Sequence, residues 1–295
     1  MAAIAISWIA SFCALVALHR FSCNVLGTRE AAPRTVLYVA VFPFSIYFTR
    51  VYTEALFLLL TALSVRAGYD SRWLRAGLFG ALAALTRPNG ILISVPLILM
   101  ACTGRPSPGT LTRRLAALTP VPLALAGYSL YVYTLSGSLL GWLDAQQQWG
   151  YSLTRLPHRH LLSGVSAIEQ EGLSGWFLRY ETAPIDFFYV LVALVFLTLV
   201  PGIIRKFGWA LGLYVLVSLL IPLSGNALVG IGRYASVLFP AFMLAASFGS
   251  RLPASVRSDY PVRSDYPDFS HIPGALPHSS RRLVPASLTA RARAL

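Results

Sequence analysis

Three short segments place ionisable side chains within otherwise apolar sequence. They read FTRVYTE at 48–54, LTRPNG at 85–90 and GRY at 232–234. An ionisable residue inside a membrane is costly unless it is paired or lines a wet cavity, so it is a candidate functional residue by default. Arg in particular donates forked hydrogen bonds that suit a phosphate group. These segments are therefore the first candidates for binding a phosphorylated ligand.

Each segment also has a purely structural interpretation. Arg50 and Glu54 are four residues apart, so they would pair on one face of a helix. Arg87 precedes a helix-breaking proline, and a lone Arg at a helix end can anchor that helix at the membrane surface. Arg233 and Tyr234 suit an interfacial belt of Arg and aromatic residues. The sequence alone leaves both interpretations open for each segment.

A fourth candidate region is the long polar stretch 136–184. A connection of more than about 15 residues between packed elements is usually functional or disordered. This one is rich in Trp, Gln and carboxylates, which stack on sugars and hydrogen-bond to them. The candidate general bases here are Asp144, Glu169, Glu171, Glu181 and Asp186, and Gln146 and Trp149 are among the Gln and Trp that could contact a polar ligand. The HxH at 158–160 lacks a third ligand, so no metal site is predicted. No cofactor is predicted either, and the sequence leaves room for a divalent metal.

The composition places the chain among integral membrane proteins. Of its 295 residues, 56% are hydrophobic and 12% are charged, and the mean hydropathy is +0.64. A soluble domain of this length would need far more polar residues to cover its surface. The net charge of +13 comes from Arg scattered among loops rather than from one basic stripe. This pattern suits anionic membrane lipids and argues against a nucleic-acid partner.

Nine apolar runs must position the candidate segments. They cover Ala2–Leu18, Val36–Phe48, Tyr52–Val65, Trp73–Leu85, Ile91–Cys102, Leu115–Leu135, Ile185–Ile204, Trp209–Leu223 and Tyr234–Phe248. Several are shorter than the roughly 20 residues of a straight transmembrane helix. If successive runs cross the membrane in alternating directions, most basic loops lie on one side. The positive-inside rule assigns that side to the cytoplasm. The three candidate segments then lie together on the opposite, external side.

The predicted fold is an all-α, polytopic membrane helical bundle with about nine crossings or half-crossings. Its N-terminus lies outside and its C-terminus lies in the cytoplasm. Residues 1–250 form the transmembrane domain, and 136–184 is a large external loop within it. Residues 251–295 are rich in Pro, Ser and Arg and carry VRSDYP twice in tandem. They are predicted to be a disordered cytoplasmic tail.

Four stretches in this order resemble a known family. They are FPFSIYFTRVYTEALFLLL from Phe42, WLRAGLFGALAALTRPNGILI from Trp73, WLDAQQQWG from Trp142 and GRYASVLFPAFMLAA from Gly232. Together they resemble the PIG-V-like family of GPI mannosyltransferase 2 and its bacterial relatives, which are glycosyltransferases of the GT-C fold. The resemblance covers roughly Leu37–Phe248.

The resemblance implies transfer of mannose from a polyprenyl-phosphate (dolichyl-phosphate) sugar to a lipid-linked acceptor on the external or luminal face. It implies a single inverting displacement, with a carboxylate as general base. The catalytic candidates are Glu54 and Asp144. The substrate-binding candidates are Arg50, Tyr52, Arg87, Asn89, Gln146, Trp149, Arg233 and Tyr234. The expected partners are polyprenyl-phosphate-mannose, the lipid-linked acceptor and membrane lipids, in a bacterial plasma membrane or the endoplasmic reticulum.

The chain departs from the family pattern at its start. Members usually begin with one more span and a first external loop that carries an acidic catalytic residue. Three explanations are therefore expected. The chain is N-terminally truncated, or it is inactive on its own, or another carboxylate has taken over the catalytic role. The alternatives to an active enzyme are a non-catalytic relative and a transporter or flippase of an anionic lipid or sugar. A transporter would carry charges near the bilayer midplane and an internal repeat, whereas the external Arg here lie at the ends of runs.

Overall fold

The computed structural model describes residues 2–27, 30–148, 183–224 and 230–248, together with the single residue Glu169. Within these residues the chain is helical and no strand is present. The α-helices are α1 (Ala2–Leu26), α2 (Ala31–Val41), α3 (Glu54–Tyr69), α4 (Trp73–Thr86), α5 (Ser94–Cys102), α6 (Pro108–Leu118), α7 (Pro120–Ser136), α8 (Gly141–Gln148), α9 (Ala183–Phe207), α10 (Trp209–Leu223), α11 (Ile231–Ser236) and α12 (Phe239–Phe248). Two 3-10 helices, Pro43–Phe48 and Pro88–Ile93, precede α3 and α5. The all-α prediction is confirmed.

Three helical stretches in the described ranges are long and apolar enough to cross a membrane. They are α1, the continuous pair α6 and α7, and Phe188–Phe207 within α9. Their outward surfaces carry large apolar side chains, such as Phe12 and Leu135, each 70% exposed. Such surfaces are stable against lipid tails but unusual against water. The remaining apolar helices are shorter and pack against these three.

The described helices run back and forth between two ends of the bundle. α3 begins at Glu54, and the N-terminal turns of α1 lie beside this end because Trp8 Nε1 donates to the Thr49 carbonyl at 3.1 Å. We call this the Glu54 end. At the other end, the basic end, Arg66 pairs with Asp70, and Arg114 donates to the Ala101 carbonyl at 2.9 Å. Three of the described helical stretches are long enough to cross a membrane, so the predicted nine crossings or half-crossings stay a prediction.

Several predicted runs differ from the observed helices at their ends. α1 continues to Leu26 instead of stopping at Leu18, and it ends at Gly27, whose φ of +63° lies in the left-handed region. The predicted run Leu115–Leu135 begins in α6 and continues into α7, which starts at Pro120. The predicted last run is split into α11 and α12 because the chain turns at 237–238, just before Pro240.

The break predicted at LTRPNG is present. Pro88 cannot continue α4, and the 3-10 helix Pro88–Ile93 separates α4 from α5. Gly90 packs directly on the α4 backbone, since a Cβ there would lie 2.4 Å from the carbonyl of Ala83. Glycine is thus required for the chain to turn this tightly at the Glu54 end.

The start of α11 is fixed by a close contact with an aromatic cluster. A Cβ on Gly232 would lie 2.3 Å from the Phe44 ring, so only glycine leaves room for that ring. Phe44 in turn stacks on Tyr189 of α9, with the ring centroids 5.6 Å apart. This contact holds α11, the 3-10 helix 43–48 and α9 together.

Only part of the predicted loop 136–184 is described. Its helix α8 folds back on α7, where Trp142 Nε1 donates to Ser129 Oγ at 3.1 Å. The predicted tail 251–295 lies outside the described residues.

Candidate functional site

The three candidate segments meet at one buried carboxylate. Glu54 is 0% exposed, and its Oε1 atom accepts hydrogen bonds from Arg87 Nη1 at 3.2 Å and from Arg233 Nε at 2.7 Å. Arg233 Nη2 also donates to this oxygen. Residues from α3, the α4 end and α11 thus form a single ion cluster, which we call the Glu54 cluster.

The Glu54 cluster carries more positive than negative charge. One carboxylate faces two guanidinium groups, so the sum is one excess positive charge. Burial lowers the pKa of Arg233, but the hydrogen bond and the negative charge of Glu54 raise it by more, so the guanidinium stays charged. Each guanidinium has five N–H donors and uses only one or two of them on Glu54. The remaining donors and the excess charge are suited to an anion.

Local backbone structure explains why these side chains converge. Glu54 is the first residue of α3, where the free N–H groups and the helix dipole favour a negative charge. Arg87 follows the last residue of α4 in an extended conformation, because the residue before a proline is excluded from the helical region. Arg233 lies in α11, which begins after Gly230 with a φ of +94°.

Aromatic rings cover both guanidinium groups. The Arg233 guanidinium carbon lies 4.9 Å from the centroid of Tyr47 and 4.5 Å from that of Tyr52. The Arg87 guanidinium lies 5.0 Å from the centroid of Tyr234 and 5.7 Å from that of Phe57. Cation–π contacts of this kind stabilise a partly desolvated cation by roughly 0.5–2 kcal/mol. Tyr52 is 44% exposed, so the Arg233 side of the cluster opens to the surroundings.

A small cavity adjoins the Arg87 side of the cluster. Its lining residues come from α3, the 3-10 helix 88–93, α10, α11 and the α11–α12 turn, and they are Phe57, Asn89, Leu92, Tyr214, Ser218, Tyr234, Val237 and Leu238. Two of the lining residues, Phe57 and Tyr234, also pack on the Arg87 guanidinium.

Five of the predicted site residues gather around Glu54. Arg87 and Arg233 bind it directly, Tyr52 and Tyr234 pack on those two Arg, and Asn89 lines the adjoining cavity.

The other four predicted residues do not join this group. Arg50 is exposed and precedes α3, so it does not pair with Glu54, and the structural interpretation of that pair is wrong. Asp144 is exposed in α8, where its carboxylate accepts from Ser138 Oγ at 3.2 Å. Gln146 lies in α8, but its side chain is outside the described part of the chain, and so is all of Trp149.

Sequence analysis missed Tyr47, Phe57, Tyr214 and Ser218. Phe57 lies one helical turn after Glu54, so helical spacing predicts that it flanks the carboxylate. Tyr47 precedes Arg50 in the same aromatic stretch as Tyr52 and was a recognisable candidate. Nothing local to α10 points to Tyr214 or Ser218, because their role depends on how that helix packs.

Metal-binding side chains are not grouped in the described ranges. No set of three or more His, Cys, Asp or Glu lies close enough there to hold a metal ion.

Comparison with known proteins assigns the chain to a family. The model of the family Mannosyltransferase (PIG-V) matches residues 1–158, which is more than half of the 295 residues. The chain belongs to the mannosyltransferase (PIG-V) family. Searches of curated proteins and of solved structures find no match.

Membership in the PIG-V family confirms the resemblance seen in the sequence. The matched residues include Glu54, Arg87 and Asp144, whereas Arg233 lies beyond them. A mannosyltransferase family, together with helices long enough to span a bilayer, makes this chain an integral membrane protein.

Proposed function

We propose that this PIG-V family chain transfers mannose from a polyprenyl-phosphate sugar to a lipid-linked acceptor. The reaction takes place at the Glu54 end, which we assign to the external or luminal face, in a bundle of the GT-C type. The acceptor is a GPI-type or bacterial glycolipid. The observation that carries the proposal is the excess positive charge of the Glu54 cluster at one end of a membrane bundle.

Arg87 and Arg233 bind the donor phosphate in this proposal. Arg87 is 14% exposed and Arg233 is 29% exposed, so both are partly desolvated and still within reach of a ligand. Charge-assisted hydrogen bonds are stronger in such a setting than in water. A phosphate neutralises the excess charge and receives the donors that Glu54 leaves unused. As the sugar is transferred, the same guanidinium groups stabilise the charge that builds up on the departing phosphate.

Glu54 orients the two Arg in this proposal, in place of the catalytic role predicted from the sequence. Its carboxylate is fully buried and both Arg bind its Oε1 atom, so an acceptor hydroxyl does not reach it in this arrangement. Asp144 is exposed and remains the proposed general base. The acceptor oxygen forms a bond to the sugar carbon while the bond between that carbon and the phosphate oxygen breaks. The electron pair of the broken bond leaves with the phosphate. The acceptor proton passes to the carboxylate.

The test is mannosyl transfer by the purified full chain in proteoliposomes, with polyprenyl-phosphate-mannose as donor. Arg87→Ala should lower turnover by about 100-fold or more, which is the usual cost of losing one charge-stabilising donor. The variant should still fold because Arg233 continues to neutralise Glu54. Arg113→Ala is the matched control, since Arg113 is exposed in α6 near the basic end. Turnover by Arg87→Ala equal to that of the wild type contradicts the proposed phosphate site.

A further inference from the structure

The cavity beside Arg87 contains two polar side chains without partners. Neither the Asn89 amide nor the Ser218 hydroxyl hydrogen-bonds to any residue in the described ranges. Ser224, in the same helical region, behaves differently because its hydroxyl donates to the Leu220 carbonyl at 2.8 Å. A helical Ser commonly makes this backbone bond. Ser218 lines the cavity without such a bond, so its hydroxyl is available to a ligand there.

The lining of the cavity specifies the kind of group it accepts. No charged side chain lines it, and Phe57, Leu92, Val237 and Leu238 make most of its wall apolar. A few polar groups in an apolar wall are typical of a site that orients a neutral ligand. The cavity accommodates a group about the size of a water molecule, such as one hydroxyl, and is too small for a sugar ring.

The position of the cavity links it to the Glu54 cluster. The Tyr234 ring lines the cavity, and the Arg87 guanidinium lies 5.0 Å from the centroid of the same ring. A phosphate held by Arg87 would therefore place the attached sugar next to the cavity mouth. Sugar hydroxyls lie within a few bonds of the phosphate in such a donor.

We propose that this cavity receives one hydroxyl group of the donor sugar and that Ser218 and Asn89 hydrogen-bond to it. The inference rests on the proposed function, because it requires a phosphosugar bound at Arg87. Ser218 and Asn89 are then specificity-determining residues. They favour sugars that carry the hydroxyl, since without it both polar groups stay unsatisfied.

The experiment compares wild type, Ser218→Ala and Ser218→Thr with polyprenyl-phosphate-mannose and its monodeoxy analogues as donors. For the monodeoxy analogue that lacks the hydroxyl bound in the cavity, wild-type kcat/KM should be roughly 3- to 10-fold lower than for mannose. This is the size expected for one neutral hydrogen bond. Ser218→Ala should lower kcat/KM for mannose similarly and leave that analogue unaffected. Ser218→Thr adds a methyl group to the cavity, so it should prefer that analogue over mannose. Ser224→Ala is the matched control and should behave like the wild type for every donor.

Two results are decisive against the inference. If Ser218→Ala changes kcat/KM equally for all donors or for none, Ser218 does not recognise a sugar hydroxyl and the cavity is structural. If the wild type does not transfer mannose from any polyprenyl-phosphate donor, the proposed function is wrong, and this inference is wrong as well because it depends on that function. The two failures are distinguished by whether the wild type is active.

Discussion

Removing the Glu54 carboxylate should destabilise the fold more than removing either of its Arg partners. In Glu54→Ala, two partly buried guanidinium groups face each other without a counter-charge, so the net charge of the cluster rises from one to two. In Arg87→Ala it falls to zero, because Glu54 stays paired with Arg233. Leaving a buried charge uncompensated costs about 3–5 kcal/mol. The partial exposure of Arg87 and Arg233 places the expected loss near the lower end of that range.

Thermal unfolding of the purified chain in detergent measures this loss. At about 2–4 °C per kcal/mol for a chain of this size, a loss near 3 kcal/mol in Glu54→Ala should lower Tm by roughly 6–12 °C. Added inorganic phosphate should restore part of this loss, because an anion that binds only the folded state raises its stability. The matched control is Glu30→Ala, whose carboxylate is 53% exposed and, among the described residues, pairs with Arg34 alone, an arrangement that contributes about 1 kcal/mol or less. If the Tm of Glu54→Ala stays within about 2 °C of the wild-type value, the ion cluster does not support the fold as argued.

Two further variants test the packing around the site. Gly232→Ala should destabilise the chain by about 1–3 kcal/mol because the added Cβ overlaps the Phe44 ring, and the fall in Tm measures this loss. Gly109 has open space around it, so the control Gly109→Ala should not lower Tm. An equal fall in Tm for both variants would contradict the argument. Ser129→Ala removes the hydrogen-bond partner of Trp142 and should lower the free energy that holds α8 against α7 by about 1 kcal/mol. Limited proteolysis should then cut α8 faster than in the wild type, and an unchanged rate would mean that this hydrogen bond does not hold the helix.

The sequence predicted that the three Arg-containing segments lie on one side of the bundle, and all three do meet, because the first supplies Glu54 and the other two supply Arg87 and Arg233. The prediction worked because proline and glycine mark where helices end, and because charge limits where those ends lie. It could not identify the partners of Glu54. Arg50 is close in sequence, but α3 begins at Glu54, so Arg50 lies outside the helix in which a pair four residues apart would form.

The parts of the site that the sequence did not reveal depend on long-range packing. Ser218 lies in the middle of an apolar helix and becomes notable only because α10 packs against α5 and the 3-10 helix 88–93, which places Ser218 at one cavity with Phe57 of α3. The split between α11 and α12 carried a local signal, Pro240, but the continuous apolar run there resembles one span. Hydropathy measures how apolar a stretch is and does not report where its backbone turns.

The Glu54 cluster also constrains how the chain can be made. Arg233 lies 179 residues after Glu54, so a ribosome synthesises most of the described helices before the second cation exists. Until then Arg87 is the one of its two folded-state Arg partners that has been synthesised, and α11 and α12 are added last. The cluster is therefore completed only near the end of synthesis, and a chain truncated before α11 lacks one of the two cations that neutralise Glu54.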